Sequence, residues 1–189
     1  YPCFCTRKEI RAEIEESSFA PHDIPQGPDG LVYPGTCRVL TAKERQQRRA
    51  EGKPFALRLD MAKAVYAAGS QLWTDADQGE TTVQPDIFGD VVLARKDTPA
   101  SYHLAVTVDD HLQGVTLVTR GEDLFAATHV HRLLQALLEL DTPSYHHHKL
   151  LTTEGGERLA KRDKSQTIRA LREAGETPEE VRAMAGMAP

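Results

Sequence analysis

Between residues 100 and 151 the chain reads as helix, strand, helix, strand with almost nothing between them, and that succession limits the fold more than any other feature. "ASYHLAVTVDDHLQG" (100–114) is apolar at 104, 105, 106, 108 and 112, which predicts a mostly buried helix ended by Gly114. "VTLVTR" (115–120) follows at once as a buried strand. "GEDLFAATHVHRLLQALLEL" (121–140) continues as one or two helices with an apolar face through 124, 125, 130, 133, 134, 137 and 138, and "YHHHKLL" (145–151) returns as a strand. A helix feeding directly into a strand is half of a crossover unit, so the alternation predicts an α/β fold with a parallel sheet.

The flanks are more broken. "TRKEIRAEIEESS" (6–18) sets apolar residues 10 and 14 between charges behind Thr6, a helix cap. Residues 19–36 are dense in Pro, Gly and Asp and predict an irregular loop, after which Thr41 caps a helix carrying the basic run 42–51. "FALRL" (55–59) and "VVLAR" (91–95) read as strands, with "MAKAVYAAG" (61–69) a short helix between them. Beyond residue 152 come a Gly-containing loop, a helix over 166–175 and another started by Thr177-Pro178.

With 40% hydrophobic and 27% charged residues the composition is that of a globular protein, and a net charge of -5 argues against coating nucleic acid by bulk electrostatics. Positive charge is nonetheless concentrated in 42–53 and 157–172, either as a local basic face or as solvated helix and loop. No apolar run approaches the roughly 20 residues of a membrane span, and residues 1–15 are too charged for a signal peptide, so a cytoplasmic, reducing setting is expected. The opening at Tyr1, in the middle of what reads as a structural element, predicts a truncated N-terminus.

Three cysteines cannot all pair, and neighbours two apart, as Cys3 and Cys5 are, rarely bridge each other. Cys3, Cys5 and Cys37 can instead supply three thiolates, and Tyr33 a phenol oxygen, to a tetrahedral zinc ion. Ordinary reduced, buried thiols are the competing reading, and the spacing by itself does not choose.

Four stretches in order, "YPCFCTR", "YPGTCR", "GDVVLARKDTPASYHLAVTVDDHLQGVTLVTRGEDL" and "ERLAKRDKS", resemble the glutamyl-tRNA synthetase family of class I aminoacyl-tRNA synthetases. The likeness is strongest to a short branch of it that places zinc in a Cys-x-Cys, Tyr-x-x-x-Cys insertion. The resemblance implies a partial Rossmann-like nucleotide-binding fold with a zinc-binding insertion over 1–54, the remaining catalytic domain over 55–152, and a signature loop with C-terminal helices over 153–189. It implies a monomeric ligase that activates L-glutamate with ATP and magnesium. In the short branch the acceptor is the queuosine base in the anticodon of tRNA(Asp). An ordinary glutamyl-tRNA synthetase piece, charging the tRNA 3' end, and a non-catalytic zinc-bearing tRNA-binding module are the alternatives.

By the same resemblance zinc lies on Cys3, Cys5, Tyr33 and Cys37, and Tyr102 and Arg120 bind glutamate. An arginine at a strand's carboxyl edge suits a bidentate carboxylate contact, and a tyrosine hydroxyl orients the substrate from the side. "RLAKR" (158–162) takes the place of the Lys-Met-Ser-Lys-Ser signature, with Lys161 as the catalytic, ATP-contacting lysine; a register three residues later would give that role to Lys164. Asp109 and Asp110 are expected to cap, orient Arg120 or contact the tRNA acceptor end, since a carboxylate nucleophile needs no general base. The run His146, His147, His148 should alternate faces along its strand and so not gather as a metal site. The family's His-Ile-Gly-His signature has no match, which predicts the later portion of the enzyme, inactive by itself.

Overall fold

Side-chain caps set where the helices begin. Thr6 and Glu9 exchange side-chain-to-backbone bonds (3.2 and 2.6 Å) ahead of α1 (Arg7–Ser17). Thr41 and Glu44 repeat the arrangement ahead of α2 (Ala42–Ala50), Asp60 caps α3 (Met61–Ala68), and Ser101 caps α4 (Tyr102–Leu112). The helix α5 (Ala127–Leu138) ends on Glu139 in the left-handed conformation. The computed structural model describes residues 1–17, 26–152 and 167–187. They fall into two compact units, one of residues 1–17, 26–120 and 124–147, the other of 121–123, 148–152 and 167–187.

In the first unit β1 (Pro2–Cys3) starts an antiparallel sheet, and β2 (Gln26–Gly27) and β3 (Gly30–Leu31) form a small hairpin. The strands β4 (Ala56–Arg58), β5 (Leu72–Asp75), β6 (Gly79–Thr82), β7 (Val92–Ala94), β8 (Leu117–Gly121) and β9 (Ser144–His148) then follow. One sheet has the order β1-β4-β7, the other β6-β5-β9-β8. The expected parallel pairing is present where Asp75 of β5 meets Tyr145 of β9, and α5 lies in the chain between β8 and β9. Three antiparallel features accompany it among the described residues, the β2-β3 hairpin, the β1-β4-β7 sheet and the β5-β6 hairpin, whose turn Asp75 closes by accepting from the N–H of Asp77 and Gln78 at 3.0 and 3.1 Å.

The apolar core lies where α3 and α5 meet Phe88 and Val91: Met61, Ala64, Val130, Leu133 and Leu134 are all buried there. The spacing of 127, 130 and 134 is the stripe a core-facing helix needs. The prediction for α4 needs correcting. Its buried residues are His103 and Thr107, and Leu112 is 75% exposed. A helix turned by its polar residues toward the interior must find them partners, and His103 finds His131 of α5.

In the second unit α6 (Ile168–Glu173) and α7 (Pro178–Met184) are capped by Thr167 and Thr177. A Cβ on Gly121 would lie 2.5 Å from Asp123 Oδ1 and 2.7 Å from Leu150 Cδ2, so both side-chain ends would have to swing aside to admit one. No described helix is long and apolar enough to cross a membrane. The loop with Lys161 and Lys164 lies outside the described residues.

Candidate functional site

Two clusters of chemically active side chains stand out in the first unit. The Sγ atoms of Cys3, Cys5 and Cys37 lie within 4.8 Å of one another, with Cys5 and Cys37 at 3.4 Å, too far for a disulfide bond. Tyr33 Oη is 3.6 Å from Cys5 Sγ and accepts the Cys37 N–H at 2.8 Å. β1 delivers Cys3, the residues after β3 deliver Tyr33 and Cys37, and Cys3, Cys37 and Tyr33 are buried.

Tetrahedral zinc bonds of about 2.3 Å place their sulfur ligands about 3.8 Å apart, so this donor set is compatible with zinc. Burial, helped by the neighbouring thiols of Cys3 and Cys37, pushes the Cys5 thiol up to about 12, and burial with the three thiols beside it raises the Tyr33 phenol. Burial acts the same way on Cys37, but there the Phe4 N–H and Tyr33 outweigh it and lower the thiol. The Arg58 guanidinium covers the Tyr33 ring at 3.9 Å and donates to Asp90 O at 2.6 Å. Asp90 is buried and accepts from the Tyr1 hydroxyl, from Arg38 Nη1 at 3.1 Å and from Met61 N at 2.9 Å, tying this cluster to α3.

The second cluster surrounds Arg120 on β8. Its Nε meets His147 Nε2 at 3.1 Å, its Nη1 meets His131 Nδ1 at 3.2 Å, and its Nη2 bonds Thr128 Oγ1. His131 Nε2 lies 3.1 Å from His103 Nδ1, His103 Nε2 lies 3.1 Å from Asp29 Oδ2 in the β2–β3 turn, and His147 Nδ1 lies 2.7 Å from Asp75 Oδ2. Burial, helped by the charge of Arg120, pushes His131 down to about 2, and burial likewise lowers His147 despite Asp75. Both imidazoles are therefore neutral at physiological pH.

Tyr102, at the first position of α4 and 49% exposed, sets its ring 5.6 Å from that of His131. A cleft of about 790 Å³ opens beside it, lined by Asp29, Arg58, Tyr102 and His103 among others. Arg120 is two hydrogen bonds from the His103 wall of that cleft. The structure thus brings Tyr102 and Arg120 to one shared neighbour, His131, and gathers Cys3, Cys5, Tyr33 and Cys37 elsewhere in the same unit.

The family model for the catalytic domain of class I tRNA synthetases (E and Q) matches residues 1–187. The chain belongs to that family. Among class I synthetases it is 43% identical over 192 residues to the glutamyl-Q tRNA(Asp) synthetase of Rhodobacter capsulatus, covering 99% of this chain and 66% of that protein. It is 42% identical over 184 residues to the glutamyl-Q tRNA(Asp) synthetase of Nocardia farcinica, covering 97% and 54%. The glutamate-tRNA synthetase structure from Elizabethkingia anophelis superposes with a TM-score of 0.63 at 27% identity, over 88% of this chain and 34% of that one. The chain thus spans between about half and two thirds of the length of the two curated relatives.

Within this synthetase domain several residues went unnoticed in the sequence: Asp29, Asp75, His103, Thr128, His131 and His147 as a connected set. One signal was present, the spacing of Thr128 and His131 three apart on a helix, which puts both on one face. Asp110 feels the Arg120 charge, but burial and Asp109 raise its carboxyl. The three consecutive histidines diverge: His147 is buried on Asp75, His146 lies 3.3 Å from Asp77, and His148 is exposed.

Proposed function

We infer that this chain is the zinc-bearing and glutamate-holding part of a ligase that activates L-glutamate with ATP and transfers it to the queuosine base in the anticodon of tRNA(Asp). The convergence of Tyr102 and Arg120 on His131 carries the reading. Arg120 has five N–H donors, of which three meet His147, His131 and Thr128, so two remain for a carboxylate. In this reading the Tyr102 hydroxyl orients the substrate, which its half-exposed ring beside the cleft supports. In this reading Lys161 supplies positive charge to the pyrophosphate leaving ATP with its magnesium.

Cys3, Cys5, Tyr33 and Cys37 would hold the zinc, whose contribution is structural, since four protein ligands leave no position open for reacting water. The domain boundaries at 54 and 152 belong to the same proposal: an insertion carrying the metal, a catalytic domain carrying Tyr102 and Arg120, and a loop carrying Lys161.

The test is glutamate affinity by calorimetry on the gene product that contains this chain. Arg120→Ala removes a charge-assisted contact of about 1.5–3 kcal/mol and should weaken binding roughly ten- to a hundredfold. Unchanged affinity would overturn the assignment. Likeness to a glutamate-tRNA synthetase structure supports a second acceptor, the 3' end of tRNA(Glu). Labelled glutamate offered with tRNA(Asp), bearing or lacking queuosine, and with tRNA(Glu) decides between them.

A further inference from the structure

We propose that His131 and His147 are positioning residues that lock the Arg120 guanidinium, and that Arg120 in return dictates the tautomer of each histidine connected to it. An arginine side chain donates and never accepts, and it stays protonated in proteins. Every atom it bonds must therefore be an acceptor. The bond to His147 Nε2 places that ring's proton on Nδ1, where Asp75 Oδ2 takes it at 2.7 Å. The bond to His131 Nδ1 places the proton on Nε2, which donates to His103 Nδ1 at 3.1 Å. His103 is then protonated on Nε2 and donates to Asp29 Oδ2 at 3.1 Å. Thr128 Oγ1 accepts from Nη2 and lies 3.1 Å from His147 Nε2, whose one lone pair faces both Arg120 Nε–H and the threonine hydroxyl.

Two relays thus run outward from one cation, Arg120–His147–Asp75 and Arg120–His131–His103–Asp29, and each ends on a carboxylate. No donor in them faces another donor. The guanidinium is pinned at all three nitrogens by β9 and α5, so it cannot rotate about its terminal bonds, and its two unused N–H groups point in a fixed direction. A planar fork aimed in advance loses less freedom when it grips a carboxylate. This role rests on the assignment of Arg120 to the glutamate carboxylate, whereas the tautomers do not.

Long-range proton–nitrogen correlation spectra of the gene product that contains this chain, at pH 7.5, read the tautomers directly. His147 should be protonated on Nδ1, His131 and His103 on Nε2. The Arg120 Nη resonances should be resolved by hindered rotation and should merge in His131→Leu. In His131→Gln they should stay resolved, because one amide offers Arg120 an acceptor and His103 a donor. His131 protonated on Nδ1, or His147 on Nε2, would overturn the proposal, and that measurement needs no variant to fold. So would resolved Nη signals in a His131→Leu chain that melts as wild type does. Should the tautomers hold while Arg120→Ala leaves glutamate affinity unchanged, the glutamate reading falls and the relay stands.

Discussion

Asp75 and His147 meet at 2.7 Å with both side chains wholly shielded from water. The same carboxylate accepts the backbone N–H of His147 at 3.1 Å and of Asp77 and Gln78 in the β5–β6 turn, so one buried charge fastens the parallel strands and the hairpin at a single point.

Replacing Asp75 with Asn should be costly despite the matched shape. An amide nitrogen facing the His147 Nδ1–H sets donor against donor, and the expected loss is about 2–3 kcal/mol in urea unfolding. Burial raises the Asp75 carboxyl, but the bonds from His147, Asp77 and Gln78 outweigh it and hold the group below its usual range. Its stabilisation is thus present above the unfolded carboxyl value of about 3.9 and is lost as pH falls through the lower folded value. Asp75→Asn should flatten that part of the acid profile; a profile identical to wild type would contradict this.

Stability should already decline below neutrality. His131 binds its proton near pH 6.5 when unfolded but only near about 2 when folded, so the unfolded state takes up a proton first as pH drops. Between pH 6.5 and 5 this removes about 1.6 kcal/mol. His131→Gln should shed that portion of the slope, measured as unfolding free energy at the two pH values.

Protein prepared without chelator should carry one zinc per chain by elemental analysis. Cys37→Ser or Cys3→Ser should release it and speed hydrogen exchange in α1 and β1 more than in β5 and β9. A metal-free preparation with unaltered exchange in α1 would count against the zinc reading.

Tyr102→Phe should fold like wild type, since the ring is half exposed and only its hydroxyl is lost. Glutamate affinity should fall by roughly two- to tenfold, the worth of one neutral hydrogen bond, with an unchanged melting temperature. Equal affinity would remove Tyr102 from the binding site.

Gly27→Ala should destabilise by about 1–3 kcal/mol, because a methyl group there would lie 2.5 Å from the backbone carbonyl oxygen of Ile87, which no side-chain rotation relieves. Differential scanning calorimetry checks it, and a neutral result would mean that this segment relaxes more readily than its packing suggests.

The parts of this fold that were legible in the sequence have local causes. Thr6, Thr41 and Thr177 announce their helices through their own side chains, and the apolar spacing of α5 needs only its own residues. The β5–β6 hairpin was missed because "LWTDADQGETT" is mostly polar, and its order comes from Trp73, which packs on Phe125 and Tyr145 far along the chain. α4 misled for a related reason: Leu104, Val108 and Leu112 share one face, but the helix buries the face of His103 and Thr107 instead, and the partners of His103 are Asp29 and His131, 74 and 28 residues away. The cysteine cluster was legible as a donor set, and the resemblance named Tyr102 and Arg120. The histidines around Arg120 were not legible, because nothing local distinguishes a relay histidine from a solvated one.

The helix α2 has no buried residue and holds its place by laying Arg45, Arg48 and Arg49 over the rings of Tyr1, Phe4 and Phe55. Two of those aromatic residues flank Cys3, and Phe4 stands between it and Cys5. Thiol oxidation requires an approach by peroxide or a second thiol, and Cys3 and Cys37 are 1% and 0% exposed. A helix with no apolar stripe of its own therefore works as weatherproofing: its arginines roof the aromatic residues beside Cys3, and the half-buried Cys5 is the sulfur left nearest to an oxidant.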